Sequence, residues 1–333
     1  PAMASTPASG LTTLVVHKMH GTGNDFLVID GRMSGIESLL EVDEMGFSSL
    51  AAELGHRRFG LGFDQLLLLT SPTDPAAADV YMKIFNTDGS PAGMCGNGVR
   101  CAAYYARCLA AQPLPSDTFK IETQSRIVTV WLTGQPKPAH AKSSKPTLSC
   151  SEVVVRVDMG FPDIQSTSMP VASLDTSFVG YSISMGNPHF VIFLPDQKDA
   201  NVRLAELSTF PVALHGPAIE LNANIFPAKT NVEFVTTSSA QPDAVRMRVW
   251  ERGAGETLSC GSGACAVGAA SVLRATQLNK PIDNHKVTVH LPGGVLDIEW
   301  NPEEDNLGRP MHPLFMTGPA SLVGKAEVQV FVP

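Results

Sequence analysis

The same glycine-framed cysteine occurs twice, half a chain apart. Cys95 lies in Met94-Cys-Gly-Asn-Gly98 and Cys260 in Ser259-Cys-Gly-Ser-Gly263, at an offset of 165 residues. The surroundings repeat at nearly the same spacing. Asp79-Val-Tyr-Met-Lys-Ile-Phe-Asn86 overlies Ala244-Val-Arg-Met-Arg-Val-Trp-Glu251 at 165, Gln65-Leu-Leu-Leu-Leu-Thr70 overlies Asn231-Val-Glu-Phe-Val-Thr236 at 166, and Gly23-Asn24-Asp25-Phe26 answers Gly186-Asn187-Pro188-His189-Phe190 at 163. Self-similarity over such a span marks a divergent duplication, so the chain must build one supersecondary plan twice.

Strand-like runs recur in the same order in both halves. They are Leu14 to Lys18, Phe26 to Asp30, Leu66 to Thr70, Val80 to Phe85, Thr118 to Glu122 and Ile127 to Leu132, then Val179 to Ser184, Phe190 to Leu194, Val232 to Thr236, Val245 to Trp250, Val287 to Leu291 and Val295 to Trp300. Directly after each Cys-Gly-x-Gly the chain becomes helix-forming and apolar on nearly every side, at Val99 to Ala110 and Ala264 to Leu273. A helix with so little polar surface is a buried one. The predicted fold is therefore α+β: two pseudo-symmetric domains, each a strongly bent, mainly antiparallel sheet or barrel around a central helix, with the active site in the interdomain cleft. The first domain spans 11–134 and is completed by C-terminal strands at 313–332; the second spans 150–312. Between them, 135–149 is rich in Pro, Lys and Ser and reads as a solvated hairpin insertion present in the first copy only. Lys137, Lys142 and Lys145 decorate that tip, and Cys150 beside it has no evident role.

At 333 residues each half can bury its own core, and 44% hydrophobic with 17% charged residues is a globular composition. Twenty-four Lys and Arg against 32 Asp and Glu give a net charge of −8, with the basic residues scattered, so the electrostatic footprint of a nucleic-acid or anionic-lipid binder is missing. A small-molecule ligand is expected, with no nucleic acid and no membrane partner. No apolar run approaches the roughly 20 residues of a membrane-spanning helix. Six cysteines in a chain of this length do not make a dense disulfide framework, which predicts a reducing compartment. Residues 1–10 read as a flexible lead with neither an apolar signal core nor an Arg-rich presequence.

A cysteine is ordinarily a small buried hydrophobe, and Cys101, Cys108 and Cys265, inside the apolar helices, fit that role. Cys95 and Cys260 differ in three respects. Flanking glycines let backbone approach a ligand closely; a helix N-terminus immediately downstream stabilises a thiolate and a bound carboxylate alike; and the arrangement occurs twice. Cys260 and Cys265 fall within zinc-ligand spacing, but Cys95 and Cys101 do not, and there is no Cys-x-x-Cys pair for redox catalysis. Neither a metal nor another cofactor is expected. Two opposed proton carriers point to inversion of a stereocentre, one sulfur as thiolate and the other as thiol, titrating as a coupled pair. An acid or base alone supplies only about 10²- to 10⁴-fold. The charge that builds on an amino-acid carboxylate as its α-proton leaves is to be met by the helix N-termini and by backbone N–H groups at Gly96, Asn97, Gly261 and Ser262.

Seven blocks in order then resemble the diaminopimelate epimerase family, over about Leu14 to Val332: His20-Gly-Thr-Gly-Asn-Asp-Phe26, Gly62-Phe-Asp-Gln65, Phe85-Asn-Thr-Asp-Gly-Ser90, Met94-Cys-Gly-Asn-Gly-Val-Arg-Cys101, Met185-Gly-Asn-Pro-His189, Thr230-Asn-Val-Glu233 and Trp250-Glu-Arg-Gly-Ala-Gly-Glu-Thr-Leu-Ser-Cys-Gly-Ser-Gly263. The resemblance implies cofactor-independent interconversion of LL- and meso-diaminopimelate, on the route to lysine and peptidoglycan, with Cys95 and Cys260 as the two bases. It implies that Gly96, Asn97, Gly261 and Ser262 hold the reacting carboxylate, that Asn24 and Gln65 line the site, and that Asn86, Asn187, Asn231, Glu251 and Arg252 take the distal end. His189 and Glu251 are expected near the sulfurs, where they help set protonation. It further implies a homodimer in the cytoplasm, or in the plastid stroma of a plant or alga. The sequence departs from the family pattern in Ser262, where threonine is common, and in the long 135–149 insertion.

Two rivals stand beside this reading. A proline or hydroxyproline racemase would use the same two cysteines on a substrate with one carboxylate; Arg252, Glu251 and three asparagines argue for a second charged amino-acid head. A non-catalytic binding or structural protein on the same duplicated fold would show uniformly slow thiols.

Overall fold

A computed structural model describes residues 10–33, 44–138, 151–199, 202, 205–238, 241–306 and 310–332. The chain divides into two units. The first comprises Pro1–Gly21, Asp25–Val155 and Pro319–Pro333, and the second comprises Thr22–Asn24 and Arg156–Gly318.

The first unit is built on β1 (Gly10–Gly21), β2 (Asn24–Asp30), β3 (Gln65–Thr70), β4 (Val80–Asn86), the short β5 (Pro91–Ala92), β6 (Thr118–Glu122), β7 (Ile127–Pro138) and the start of β8 (Ser151–Asp158). β2 and β3 run parallel, with Phe26 opposite Gln65 and Val28 opposite Leu67. A parallel pair cannot be closed by a hairpin and needs a crossover. Helix α1 (Glu44–Gly55) lies in that connection and places Phe47, Ala51 and Leu54 in a core with Leu27, Ile29, Leu66, Leu68 and Phe85. β4 pairs antiparallel with β3 and parallel with β6, and the second crossover carries helix α2 (Gly96–Tyr104), which is buried along its whole length.

The second unit repeats the plan with β9 (Asp163–Ser173), β10 (Thr176–Ser184), β11 (Pro188–Phe193), β12 (Asn231–Ser238), β13 (Gln241–Glu251), β14 (Gly255–Thr257), β15 (Lys286–Leu291), β16 (Gly294–Glu299) and the start of β17 (Phe315–Val332). β11 and β12 are parallel, joined through α3 (Val212–Glu220); β13 and β15 are parallel, joined through α4 (Gly261–Gln277). The remaining pairs of this unit, β9 with β10, β10 with β11, β12 with β13, β13 with β14, β15 with β16 and β16 with β17, are antiparallel. Helix α4 packs against β10, β11, β12, β15 and β16, so the sheet wraps it from several sides.

The duplication is visible in register as well as in element order. His189 stands opposite Asn231 in the second unit as Phe26 stands opposite Gln65 in the first. The last strand also has a counterpart: β17 pairs with β1 over Gly10↔Val332 to His20↔Ser321, the position that β9 takes beside β10. In the first unit it is therefore the C-terminal strand that flanks β1.

Each predicted strand lies within or beside an observed one. Cys101 and Cys265 are fully buried. Cys108 is only half-buried, because the final turn after α2, Tyr105–Leu109, widens into a π-helix, with Ala110 N–H donating to Tyr105 O at 3.0 Å. A wider turn rotates Cys108 off the face that a regular helix would share with Cys101. The predicted insertion at 135–149 falls on the end of β7 and otherwise lies outside the described residues, as does Cys150. No helix among the described residues is long and apolar enough to cross a membrane.

Candidate active site

Each cysteine stands at the N-cap position of its buried helix with extended backbone, φ −146° and ψ 109° at Cys95 and φ −117° and ψ 111° at Cys260. Extended geometry at an N-cap turns the side chain back over the free N–H groups of the first turn. At Cys260 this contact is made: Gly263 N–H donates to Sγ at 3.3 Å, and Ser262 Oγ lies 3.5 Å from the sulfur.

In the first unit, Cys95 is half-buried and leads directly into buried Gly96 and Asn97. Gln65 and Asn86, opposite each other in the β3–β4 ladder, join through Gln65 Nε2 donating to Asn86 Oδ1 at 3.0 Å. Asn86 Nδ2 in turn donates to Ser90 Oγ at 3.0 Å, which fixes both donor and acceptor ends of the amide.

The second unit holds the denser cluster. Glu251, at the end of β13, accepts from Thr257 Oγ1 on β14. Asn231 is buried, donates to Pro188 O at 2.8 Å and accepts from the Arg252 N–H at 2.9 Å, so it fixes the turn that presents Arg252. The Arg252 side chain is exposed and donates to Ala228 O at 3.0 Å. Asn187 Nδ2 donates to Ser262 Oγ at 3.3 Å, while Asn187 Oδ1 lies 3.1 Å from His189 Nε2. The other ring nitrogen of His189 is 2.7 Å from Glu233 Oε1, and both side chains are fully buried. Asn24 belongs to this unit through the segment Thr22–Asn24, which is seated by Thr22 Oγ1 at 2.5 Å from Ser259 Oγ, next to Cys260 in the chain.

The helix N-terminus does not decide the state of Cys260. Burial raises its thiol well above the ordinary range, the negative charges of Glu251 and Glu233 raise it further, and the Ser262 hydroxyl and Gly263 N–H pull only partly against them. Cys260 therefore rests as the thiol at neutral pH. Desolvation also lifts the Glu251 carboxyl above its usual value, opposed by hydrogen bonds from Thr257 and Cys260 and by the charge of His189. A group whose pKa is raised in this way keeps a proton available nearer neutrality than a free carboxyl does. Among the described residues, no group of three or more His, Cys, Asp or Glu side chains is placed to share a metal ion.

Glu233, Thr257 and the Thr22–Ser259 contact were not assigned functional roles from the motifs. Glu233 had a signal: it is the one charged residue within Val232-Glu-Phe-Val235, a run otherwise apolar enough to be buried on both faces.

A sequence model of the diaminopimelate epimerase family matches residues 16–141 and 181–323. The chain is 38% identical over 317 residues to a diaminopimelate epimerase of Halothermothrix orenii, covering 94% of this chain and 97% of that one. The chain belongs to the diaminopimelate epimerase family. A second member, from Desulfitobacterium hafniense, is 40% identical over 322 residues, covering 92% of this chain and 95% of that one. As a family member the protein is an isomerase of the epimerase type. Its fold extends beyond the epimerase family: a probable proline racemase from Agrobacterium radiobacter, with bound carbonate, superposes with a TM-score of 0.65 at 15% identity, covering 95% of this chain and 92% of that one. A hydroxyproline epimerase from Agrobacterium vitis superposes equally well, at 0.65 and 14%, covering 96% of this chain and 93% of that one. At such identities the likeness is one of fold alone, and it is the two-domain architecture expected from the duplication.

Proposed function

We propose that the protein interconverts LL-2,6-diaminopimelate and meso-diaminopimelate without pyridoxal phosphate, Cys95 and Cys260 acting as two bases on one α-carbon. One sulfur, as thiolate, takes the α-hydrogen; the other, as thiol, delivers its proton to the opposite face, and the two exchange states with each turnover. The observation that carries this reading is the repeated cysteine at the N-cap of a buried helix, with Gly263 N–H 3.3 Å from Cys260 Sγ, in a chain of this family.

Backbone N–H groups at Gly96, Asn97, Gly261 and Ser262 take the reacting carboxylate, where negative charge grows as the proton leaves. Donors of this kind are effective because they need no reorganisation during the step. Asn24 and Gln65 line the reacting end. At the distal end Arg252 pairs with the second carboxylate and Glu251 with its ammonium, while Asn86, Asn187 and Asn231 fix its handedness. The protonated resting state of Cys260 supports its service as the proton donor when Cys95 is the base. The product is one a cell draws on for lysine and for peptidoglycan precursors, and a homodimer in the cytoplasm, or in the plastid stroma of a plant or alga, fits that role.

Incubation of the reduced protein with pure LL-diaminopimelate, followed by chiral separation, is expected to give the meso isomer and to leave L-proline untouched. Racemised proline with no meso product would return the substrate to the single-carboxylate class.

A further inference from the structure

The two units use one backbone plan but put opposite chemistry behind their cysteines. In the parallel ladders, His189 and Glu233 of the second unit occupy the positions of Phe26 and Leu67 in the first. In the helix after Cys95, the face of Gly98 meets the hydrocarbon atoms Leu67 Cδ2 and Phe26 Cε1. Behind Cys260 the face of Gly263 meets Glu233 Oε1 instead. A carboxyl group and an imidazole, both fully buried, have replaced two hydrocarbon side chains. Burying such groups is costly unless each is paired, so their presence needs a reason beyond filling space.

Their hydrogen bonds supply one. Asn187 Nδ2 is engaged as a donor to Ser262 Oγ, which leaves Oδ1, an acceptor only, facing His189 Nε2 at 3.1 Å. Nε2 must then carry a hydrogen. On the far side of the ring, one further proton lies between Nδ1 and Glu233 Oε1, 2.7 Å apart. Whichever atom holds it, the pair is neutral overall. Glu233 Oε2 is buried and has no hydrogen-bond partner among the described residues, so the carboxyl group is committed to His189 through one oxygen. The connection runs onward from Ser262 Oγ to Cys260 Sγ at 3.5 Å.

We infer that Glu233 is a positioning residue for the reaction: sharing one proton with His189, it fixes the ring so that Nε2–H holds the Asn187 amide, and through it the Ser262 hydroxyl, in line with the Cys260 sulfur. Without the carboxyl group the ring is free to take the other tautomer. Nε2 then becomes an acceptor, the Asn187 amide turns its Nδ2 toward it, and Ser262 loses its donor. This inference rests on the proposed diaminopimelate chemistry for its kinetic consequence, but not for its geometry.

The test compares Glu233→Leu, which copies Leu67, with Glu233→Gln, which can donate to Nδ1 and so preserve the tautomer. Misplacement of a reacting group on this scale costs about 10²-fold in rate. Glu233→Leu is expected to lose about that factor in kcat and to raise KM for diaminopimelate, with Glu233→Gln restoring most of the loss. The ratio of Cys260 to Cys95 alkylation by a neutral reagent, read by peptide mass, should change in Glu233→Leu. In the unmutated protein, ¹⁵N NMR of the histidine rings should show His189 with its proton on Nε2. Equal losses in the Leu and Gln variants, an alkylation ratio that Glu233→Leu leaves unchanged, or an unprotonated Nε2 would overturn the inference. If Glu233→Leu fails to fold by circular dichroism, the NMR tautomer decides. If the parent protein does not epimerise diaminopimelate, the substrate assignment falls, and the alkylation ratio and tautomer still judge the dyad.

Discussion

The internal duplication allows one substitution to be made twice in the same backbone setting with opposite expected outcomes. Gly98 and Gly263 are each the third residue of a buried helix that follows one of the two repeated cysteines. Replacing either by alanine gains helix propensity, about 1 kcal/mol. At Gly98 the new methyl meets Leu67 Cδ2 at 3.2 Å and Phe26 Cε1 at 3.4 Å, and the end of a leucine side chain can give the few tenths of an ångström required. At Gly263 it meets Glu233 Oε1 at 2.7 Å and both Cβ and Sγ of Cys260 at 3.3 Å. Glu233 Oε1 can yield only by giving up its 2.7 Å contact with His189 Nδ1. Overpacking costs about 1–3 kcal/mol, and loss of a hydrogen bond to a charged group adds about 1.5–3 kcal/mol. After the helix gain, Gly263→Ala is expected to lose about 1.5–5 kcal/mol, whereas Gly98→Ala stays within about 1 kcal/mol of the parent. Urea unfolding followed by circular dichroism, with midpoints compared under one condition, measures both. Equal shifts for the two variants, or a higher midpoint for Gly263→Ala, would refute the view that a fixed carboxyl group rather than pliable hydrocarbon backs the second cysteine.

Further expectations concern the site groups. Cys95→Ala and Cys260→Ala should each remove at least the 10²- to 10⁴-fold ascribed to a positioned acid or base while retaining the parent's circular dichroism; full turnover in either would end the two-thiol mechanism. Arg252→Ala should weaken diaminopimelate far more than any monocarboxylic amino acid, as measured by competition in the epimerase assay, and equal effects would mean that Arg252 does not read the distal head. Glu251, raised from its ordinary value of 4.5, contributes most to stability when protonated and loses that contribution as pH rises from 4.5 through its folded pKa. The stability of Glu251→Gln relative to the parent should therefore improve between pH 4 and neutrality, and a difference that is flat with pH would remove burial as the dominant influence on this carboxyl.

The features legible in the sequence were those tied to periodicity and repetition. Alternation or apolar runs located the ladder strands, and the paired Cys-Gly-x-Gly blocks located both buried helices, because those signals reflect burial directly. Helices α1 and α3 left weaker traces: neither sits next to a motif, and α3 even contains Pro217. Their existence follows from topology, since the parallel pairs β2–β3 and β11–β12 each need a crossover. At the site, repetition marks what the copies share; His189 is legible only through its family motif, and Glu233 receives no role from the motifs. Glu233 for Leu67 and His189 for Phe26 are the substitutions that distinguish the two cysteines' surroundings. Which sulfur carries the proton is not legible in the sequence, because a helix N-terminus is visible there whereas the burial and the two carboxylates that raise the Cys260 thiol are assembled from β12 and β13.

The most direct measurement of the central claim is to incubate reduced protein, without pyridoxal phosphate, with pure LL-diaminopimelate in D₂O, and to follow the meso isomer and its α-deuterium by mass spectrometry and NMR. The two-cysteine account predicts meso product bearing one solvent deuterium at the inverted centre, with no such product from Cys95→Ala or Cys260→Ala. Meso product that keeps its original α-hydrogen, or undiminished deuterated product from either cysteine variant, would contradict it.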